Sequence, residues 1–148
     1  MTKRITHIIF GLGISMFFIE VSDPIMLVLG VVSSLFGGTV PDWDGKVSHR
    51  KVVHNIFALT LTSTVIILAF STIVFPMHAL NIALPYFLSY SSHLLLDILT
   101  GGVKLLFPFN KRKYRLTGIK YDEPAINTIL QALGILMILV KLEFGLKI

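Results

Sequence analysis

Long apolar runs are the feature of this sequence that most restricts its fold. Of its 148 residues, 54% are hydrophobic and only 14% are charged, against about 25% charged in soluble domains. A helix needs about 20 apolar residues to cross the hydrocarbon core of a bilayer. The last three runs reach that length; the first two are shorter and could thin the bilayer or form a tight hairpin. The five runs are Ile5–Ile19, Pro24–Val40, His54–Phe75, Met77–Leu99 and Pro124–Leu146.

The fold predicted from these runs is an all-α, polytopic membrane protein with one embedded domain over residues 1–148. Asp23 before Pro24 is a good helix start, with aspartate as the N-cap and proline at the first helical position. Asp122-Glu123 before Pro124 is a similar start, and Gly101–Gly102 can end the fourth helix. The first run lacks a convincing small-residue cleavage site, so we expect it to be retained as a helix.

Basic residues predict the orientation, because lysine and arginine are enriched in cytoplasmic segments of membrane proteins. With the N-terminus in the cytoplasm, residues 1–4, 42–51 and 101–123 are cytoplasmic and hold 11 of the 13 basic residues. The net charge of +5 is therefore better explained by topology and anionic lipid than by nucleic acid. The sequence predicts a multi-pass protein of the cell membrane that contacts membrane lipids and no nucleic acid.

Seven metal-capable side chains are expected at this cytoplasmic face. There is no cysteine, so thiolate metal sites, disulfides and cysteine nucleophiles are excluded. A fifth histidine, His78, falls at the outer end of the fourth helix and does not belong to the set. Taken singly, His7 could be an interfacial polar group and Asp42 a turn residue. The seven are His7, Asp42, Asp44, His49, His54, His93 and Asp97.

Spacing relates some of these residues to one another. His93 and Asp97 are four apart and share one helix face, about 40° from each other. Asp42 and Asp44 point the same way if their segment is extended. His49 and His54 would diverge by about 140° on one helix, so we expect His49 in the loop and His54 on the helix after a bend.

The donor set predicts the metal. Imidazole and carboxylate without sulfur suit zinc, manganese or iron better than Cu(I), and this much imidazole fits calcium and magnesium poorly. Zinc is our first choice and manganese the alternative. A catalytic zinc takes three protein ligands and a water, so seven candidates predict either two ions, or one ion with further groups that orient its ligands.

Four motifs follow one another along the chain: Pro41-Asp42-Trp43-Asp44, His49-Arg50 with His54, Ser92-His93 with Asp97, and Gly102-Val103 with Pro108-Phe109. Together they resemble a known family, the YdjM-like membrane proteins, which are regarded as metal-dependent hydrolases. They cover about residues 3–118 and are specific in combination, although each alone is weak. Relative to the family pattern, Lys51 replaces a glycine and Asn55 replaces a serine, and neither change removes a ligand.

The resemblance implies a small helical membrane protein with a divalent-metal site. It also implies a distant similarity to zinc-dependent phospholipase C and P1 nuclease. Those enzymes use the mature amino terminus and its tryptophan as ligands, and Met1 offers no such group. The zinc count of those enzymes therefore does not carry over directly.

The predicted function is metal-dependent hydrolysis of a phosphoester, in a phospholipid or polyprenyl phosphate, at the cytoplasmic face. Asp44 could ligate a metal or act as general base, and Arg50 could bind phosphate. Residues 110–115 could hold anionic headgroups. The alternatives are a structural metal site, a lipid-binding scaffold, or an ion carrier; a carrier should place polar residues near the bilayer midplane rather than at one face. Oligomeric state is left open.

Overall fold

The structure, a computed structural model, describes residues 3–44, 52–73, 76–120 and 122–145. These residues form five α-helices and one 3₁₀ helix, with a single isolated β-bridge between Val103 and Tyr114 and no strand among them. The all-α prediction is confirmed. The elements are α1 (Arg4–Met16), α2 (Pro24–Thr39), the 3₁₀ helix (Val40–Asp44), α3 (Ile56–Ile73), α4 (Pro76–Thr100) and α5 (Pro124–Gly145).

Helix α4 is the central helix of the bundle. It packs against α1, α2 and α3, whereas α5 packs mainly on α1. The last turns of α2 and α4 and the first turns of α1 and α3 all lie at one end of the bundle. This end is where the metal-capable residues lie.

The predicted helix ends are confirmed by backbone contacts. The Asp23 carboxylate accepts hydrogen bonds from the amides of Ile25 and Met26 at 2.8 and 3.2 Å. At the end of α4, the amides of Gly101 and Gly102 both donate to the carbonyl of Asp97, at 2.9 and 2.6 Å. Gly102 has φ +80°, a left-handed conformation that side-chain-bearing residues rarely adopt. This turn fixes the backbone of Asp97.

The lengths of two helices differ from the prediction. The second run reaches spanning length because the 3₁₀ helix extends α2, giving a candidate span of Pro24–Trp43 with 20 residues. The third run falls short of the spanning length of about 20 residues in the part of the chain that the structure describes. There α3 has 18 residues, from Ile56 to Ile73, and it begins two residues later than predicted. The other two candidate spans are His78–Thr100 and Pro124–Gly145.

A buried polar network joins α5 to α1. The side-chain oxygen of Asn127 accepts hydrogen bonds from the Thr6 hydroxyl at 2.8 Å and the Lys3 amide at 3.0 Å. Gln131 donates to the Thr6 hydroxyl oxygen at 2.8 Å. Polar side chains hydrogen-bond across helices in this way where no water is present, so the network sets the register of α5 at the same end of the bundle.

Candidate metal centre

Four chain segments bring five of the seven predicted residues into one cluster. His7 comes from α1, Asp42 from the 3₁₀ helix, and His54 from the residues just before α3; His93 and Asp97 come from the last turns of α4. The three histidines and Asp97 are at most 2% exposed. The Asp42 side chain is 12% exposed, so the cluster is closed except at that edge.

The distances between donor atoms are short. His7 Nε2 lies 3.3 Å from Asp97 Oδ1, and His54 Nε2 lies 3.4 Å from Asp97 Oδ2. His93 Nε2 lies 3.6 Å from an oxygen of each aspartate. The fifth pair, His54 Nε2 and Asp42 Oδ1, is 3.9 Å apart. Both carboxylates therefore face several imidazoles rather than one partner each.

The tautomer of His93 follows from its other ring nitrogen. His93 Nδ1 lies 2.9 Å from the carbonyl oxygen of Gly38, and a carbonyl can only accept, so Nδ1 carries a proton. In the neutral ring Nε2 is then a bare lone pair, and it faces the oxygens of Asp42 and Asp97. Histidines that ligate metals commonly donate their second ring N–H to a backbone carbonyl in this manner.

These buried atoms are not satisfied by hydrogen bonds. In the described part of the chain, no group has hydrogen-bonding geometry to four of these atoms, although they lie close together. The four are Nε2 of His7, His54 and His93 and Oδ1 of Asp97. Buried polar atoms normally have a hydrogen-bond partner. Atoms that approach one another without pairing are arranged as ligands converging on a common point.

A divalent cation fits this donor set. Around a tetrahedral zinc with bonds of about 2.0–2.1 Å, neighbouring ligand atoms lie roughly 3.3–3.4 Å apart, close to the shortest separations here. Asp97 is buried and Asp42 is largely buried, and neutral histidines cannot balance their charge. The exposed Arg4 approaches only Asp42, at 3.8 Å, whereas a divalent ion would balance both carboxylates. Protonating both His7 and His93 instead would stack two cations, because their rings lie 3.8 Å apart at 17°.

The residues form two overlapping ligand groups. One contains His7, His93 and Asp97, and the other contains Asp42, His54 and His93. In each group the candidate ligand atoms lie within 4.8 Å of one another. His93 belongs to both, which makes it the central residue whether the site holds one ion or two.

A close helix contact holds Gly38 against His93. A Cβ atom at Gly37 would overlap the carbonyl oxygen of Tyr86 on α4 and lie 3.0 Å from its carbonyl carbon. Only glycine allows α2 and α4 to approach this closely. The approach brings the Gly38 carbonyl to His93 two turns further along α4, and it carries the following 3₁₀ helix, with Asp42, to the cluster.

His54 lies before α3 rather than on it, which corrects the prediction. The Asn55 side chain accepts a hydrogen bond from the Ala58 amide at 2.8 Å and so caps the helix. Asn55 also donates to the Val52 carbonyl at 2.7 Å, and the Tyr90 hydroxyl donates to the carbonyl of Val53. The chain around His54 is therefore fixed by its neighbours and by α4.

Replacing Asn55 with alanine should destabilise the protein and loosen His54. Loss of an N-cap side chain costs about 1 kcal/mol, and we expect a lower Tm together with weaker metal binding. Asn55→Asp keeps the capping oxygen and should recover most of the lost stability. Thermal unfolding of the two variants in the same detergent measures this, and equal Tm values for Asn55→Ala and wild type would contradict the capping role.

The prediction that Asp42 and Asp44 point the same way assumed an extended segment, and this assumption is wrong. Residues 40–44 form a 3₁₀ helix and not an extended segment, and in such a helix residues two apart point in different directions. The side chain of Asp44 and all of His49 and Arg50 lie outside what the structure describes, so their roles stay predictions.

Sequence reasoning missed three residues at the site. Arg4 Nε lies 3.8 Å from Asp42 Oδ2; its spacing of three from His7 on α1 was an available signal, but Arg4 was assigned to topology alone. Tyr90 anchors the segment before His54 and is three residues from His93. Gly38 acts through its carbonyl, which no side-chain pattern reveals.

Comparison with known proteins decides the family. The model of the YdjM inner membrane protein family matches residues 1–146. The chain belongs to the YdjM inner membrane protein family. No curated protein and no solved structure matches it, so the distant similarity to phospholipase C and P1 nuclease stays a prediction. Together with the three candidate spans, the family match identifies this YdjM-family chain as a membrane protein.

Proposed function

We propose that this YdjM-family protein is a metal-dependent hydrolase that cleaves a phosphoester in a membrane lipid. The substrate is a phospholipid or a polyprenyl phosphate, and the reaction takes place at the cytoplasmic face. One observation carries the proposal: five histidines and aspartates from four chain segments converge, and four of them, His7, His54, His93 and Asp97, are buried with ring nitrogens or a carboxylate oxygen that lack a hydrogen-bond partner among the described residues. Such an arrangement is costly unless it holds a cation.

The orientation is part of the proposal. The protein crosses the membrane several times with its N-terminus in the cytoplasm, so the cluster lies at the cytoplasmic surface. In support, exposed basic residues of the 101–120 segment lie at the same end of the bundle, where the Leu105 carbonyl accepts a hydrogen bond from the Ile56 amide at 3.0 Å. Lys111, Arg112 and Lys113 are exposed and would attract anionic headgroups.

The described side chains supply binding and orientation. A zinc or manganese ion, one or two in number, would be held by the five clustered residues and would polarise the phosphoryl group and acidify a water. Asp42 marks the open edge, since the other four side chains are fully buried. Arg4, with a side chain 61% exposed, stands at that edge and can bind a phosphate oxygen. Asp44 as general base and Arg50 as a phosphate ligand complete the proposal.

Hydrolysis is tested directly with purified protein. We would load it with zinc or manganese in nanodiscs and measure the release of phosphate or headgroup from phospholipids and polyprenyl phosphates. Metal-dependent turnover of at least one lipid phosphoester is expected, and chelation should abolish it. Absence of turnover across the panel, with the ion shown to be bound, would contradict the proposal.

Neutralising Arg4 should slow hydrolysis without removing the metal. A hydrogen bond to a charged group is worth about 1.5–3 kcal/mol, so Arg4→Gln should lower kcat/KM by roughly 10- to 100-fold. Lys141→Gln, at the far end of α5, is the control and should behave as wild type. Metal content by elemental analysis should be equal in both variants. Full activity in the Arg4→Gln protein would contradict the proposal that Arg4 binds the phosphate.

A structural metal site is the second candidate function. The observation that favours it is that the cluster ties α1, the 3₁₀ helix, the start of α3 and α4 together, which is what a stapling ion does. Asp97→Asn distinguishes the two. If the variant unfolds in detergent, the ion is structural; if the variant keeps its helices and only turnover falls, the ion is catalytic.

A further inference from the structure

An apolar groove lies between α2 and α3, with α4 as its floor. Its volume is about 560 Å³, within the range of roughly 300–1,000 Å³ typical of small-ligand sites. Its walls carry large apolar side chains from all three helices. They include Leu29, Val32, Phe36, Ile66, Phe70 and Ile82.

The hydroxyl groups in the groove are already used by the protein. Ser33 donates to the carbonyl of Ile82 at 2.6 Å. The Tyr86 hydroxyl donates to the Thr62 hydroxyl oxygen at 3.0 Å, and Thr62 donates to the Ala58 carbonyl at 2.7 Å. Because these groups are satisfied internally, the groove offers an apolar surface that suits a hydrocarbon and not a polar molecule.

One end of the groove reaches the candidate metal centre. Val40 and Trp43 line the groove, and Asp42, which lies between them in the 3₁₀ helix, faces the clustered histidines. Phe36 packs edge-on against Trp43, with ring centroids 6.1 Å apart. The end of the groove at Val40 and Trp43 therefore lies within one helical turn of Asp42, a candidate metal ligand.

We propose that this groove binds one hydrocarbon chain of the lipid substrate and so places its phosphoester at Asp42. The groove opens beside Asp42 at one end, and its hydroxyl groups are satisfied internally, so it offers a narrow apolar surface next to a candidate metal ligand. A single acyl or prenyl chain is the occupant that matches both the apolar walls and the membrane setting. The headgroup position rests on the proposed function, whereas occupation of the groove by a lipid chain does not.

Photolabelling tests the groove without requiring turnover. The protein is placed in phosphatidylglycerol nanodiscs with a trace of phosphatidylglycerol carrying a diazirine in its acyl chain, and adducts are mapped by mass spectrometry. Adducts should concentrate on groove residues of α2 and α3. Val32→Trp and Ile66→Trp fill the groove from opposite walls and should reduce this labelling several-fold.

Matched controls come from neighbouring positions. Val28 and Val65 are 59% and 56% exposed and do not line the groove, so Val28→Trp and Val65→Trp should label as wild type does. Labelling of the exposed faces of α5 as strong as that of the groove in the wild-type protein would overturn the proposal. Groove labelling that is unchanged in folded Val32→Trp and Ile66→Trp would overturn it too.

The kinetic test separates the groove from the hydrolase proposal. If the protein hydrolyses lipid, the two filling variants should raise KM for long-chain substrate and leave a short-chain, water-soluble phosphoester unaffected. An equal loss for both substrates would contradict chain binding while leaving hydrolysis intact. Specific labelling without any turnover would support the groove and contradict the hydrolase.

Discussion

His93→Ala should abolish metal binding and activity together. His93 belongs to both ligand groups, and its Nδ1 contact with the Gly38 carbonyl leaves Nε2 as a ligand atom, so its loss removes a donor from each group. Outer-shell partners of metal ligands typically contribute about 10- to 100-fold in affinity or activity; loss of a shared ligand should exceed about a hundredfold in both. Titration with zinc, followed by elemental analysis after dialysis, measures the affinity.

The control for His93 lies on the same helix. His78 is 15 positions earlier in the chain, about 22 Å along the axis of α4, and His78→Ala should bind metal as wild type does. Circular dichroism shows whether each variant keeps its helices. A folded His93→Ala protein with wild-type metal affinity would refute the central position of His93.

Gly37→Val should damage the fold and the metal site at once. The added side chain would overlap the backbone of Tyr86, where neither helix has a flexible group that can yield. Overpacking usually costs about 1–3 kcal/mol, and a clash with backbone should lie at or above the upper end. Because Gly38 and Asp42 follow directly, separation of α2 from α4 should also weaken metal binding.

Gly118 provides the comparison for Gly37. No atom lies within 4 Å of a Cβ built at Gly118, so Gly118→Val should leave Tm and metal affinity close to wild type. Thermal unfolding with and without zinc separates the two effects. A Gly37→Val protein as stable as wild type would mean that α2 and α4 do not depend on this contact.

The sequence predicted the helices well where local chemistry decides. Asp23 and Gly102 act as predicted because capping and left-handed turns depend on one or two residues. It failed where the helix ends were taken from the lengths of the apolar runs: Asn55 caps α3 and excludes His54 from the helix, and the 3₁₀ helix through Pro41 extends α2. Neither result follows from apolar run lengths.

The sequence predicted which residues form the candidate site better than it predicted how they are arranged. His93 and Asp97 share a face because helix periodicity fixes it, and membrane topology placed His7, Asp42 and His54 at the same end. The tautomer of His93 could not be predicted, since it depends on a backbone carbonyl of another helix. The approach of Arg4 to Asp42 likewise depends on how α1 packs beside the 3₁₀ helix.

The central claim is that the clustered histidines and aspartates hold a divalent ion. Its most direct test is a crystal structure of the purified protein with anomalous data collected above and below the zinc and manganese edges. We expect an anomalous peak within ligand distance of His93 Nε2 and of at least one carboxylate from Asp42 or Asp97. A metal-supplemented crystal with no anomalous peak among these side chains, or with the side chains hydrogen-bonded to one another around no ion, would contradict the account.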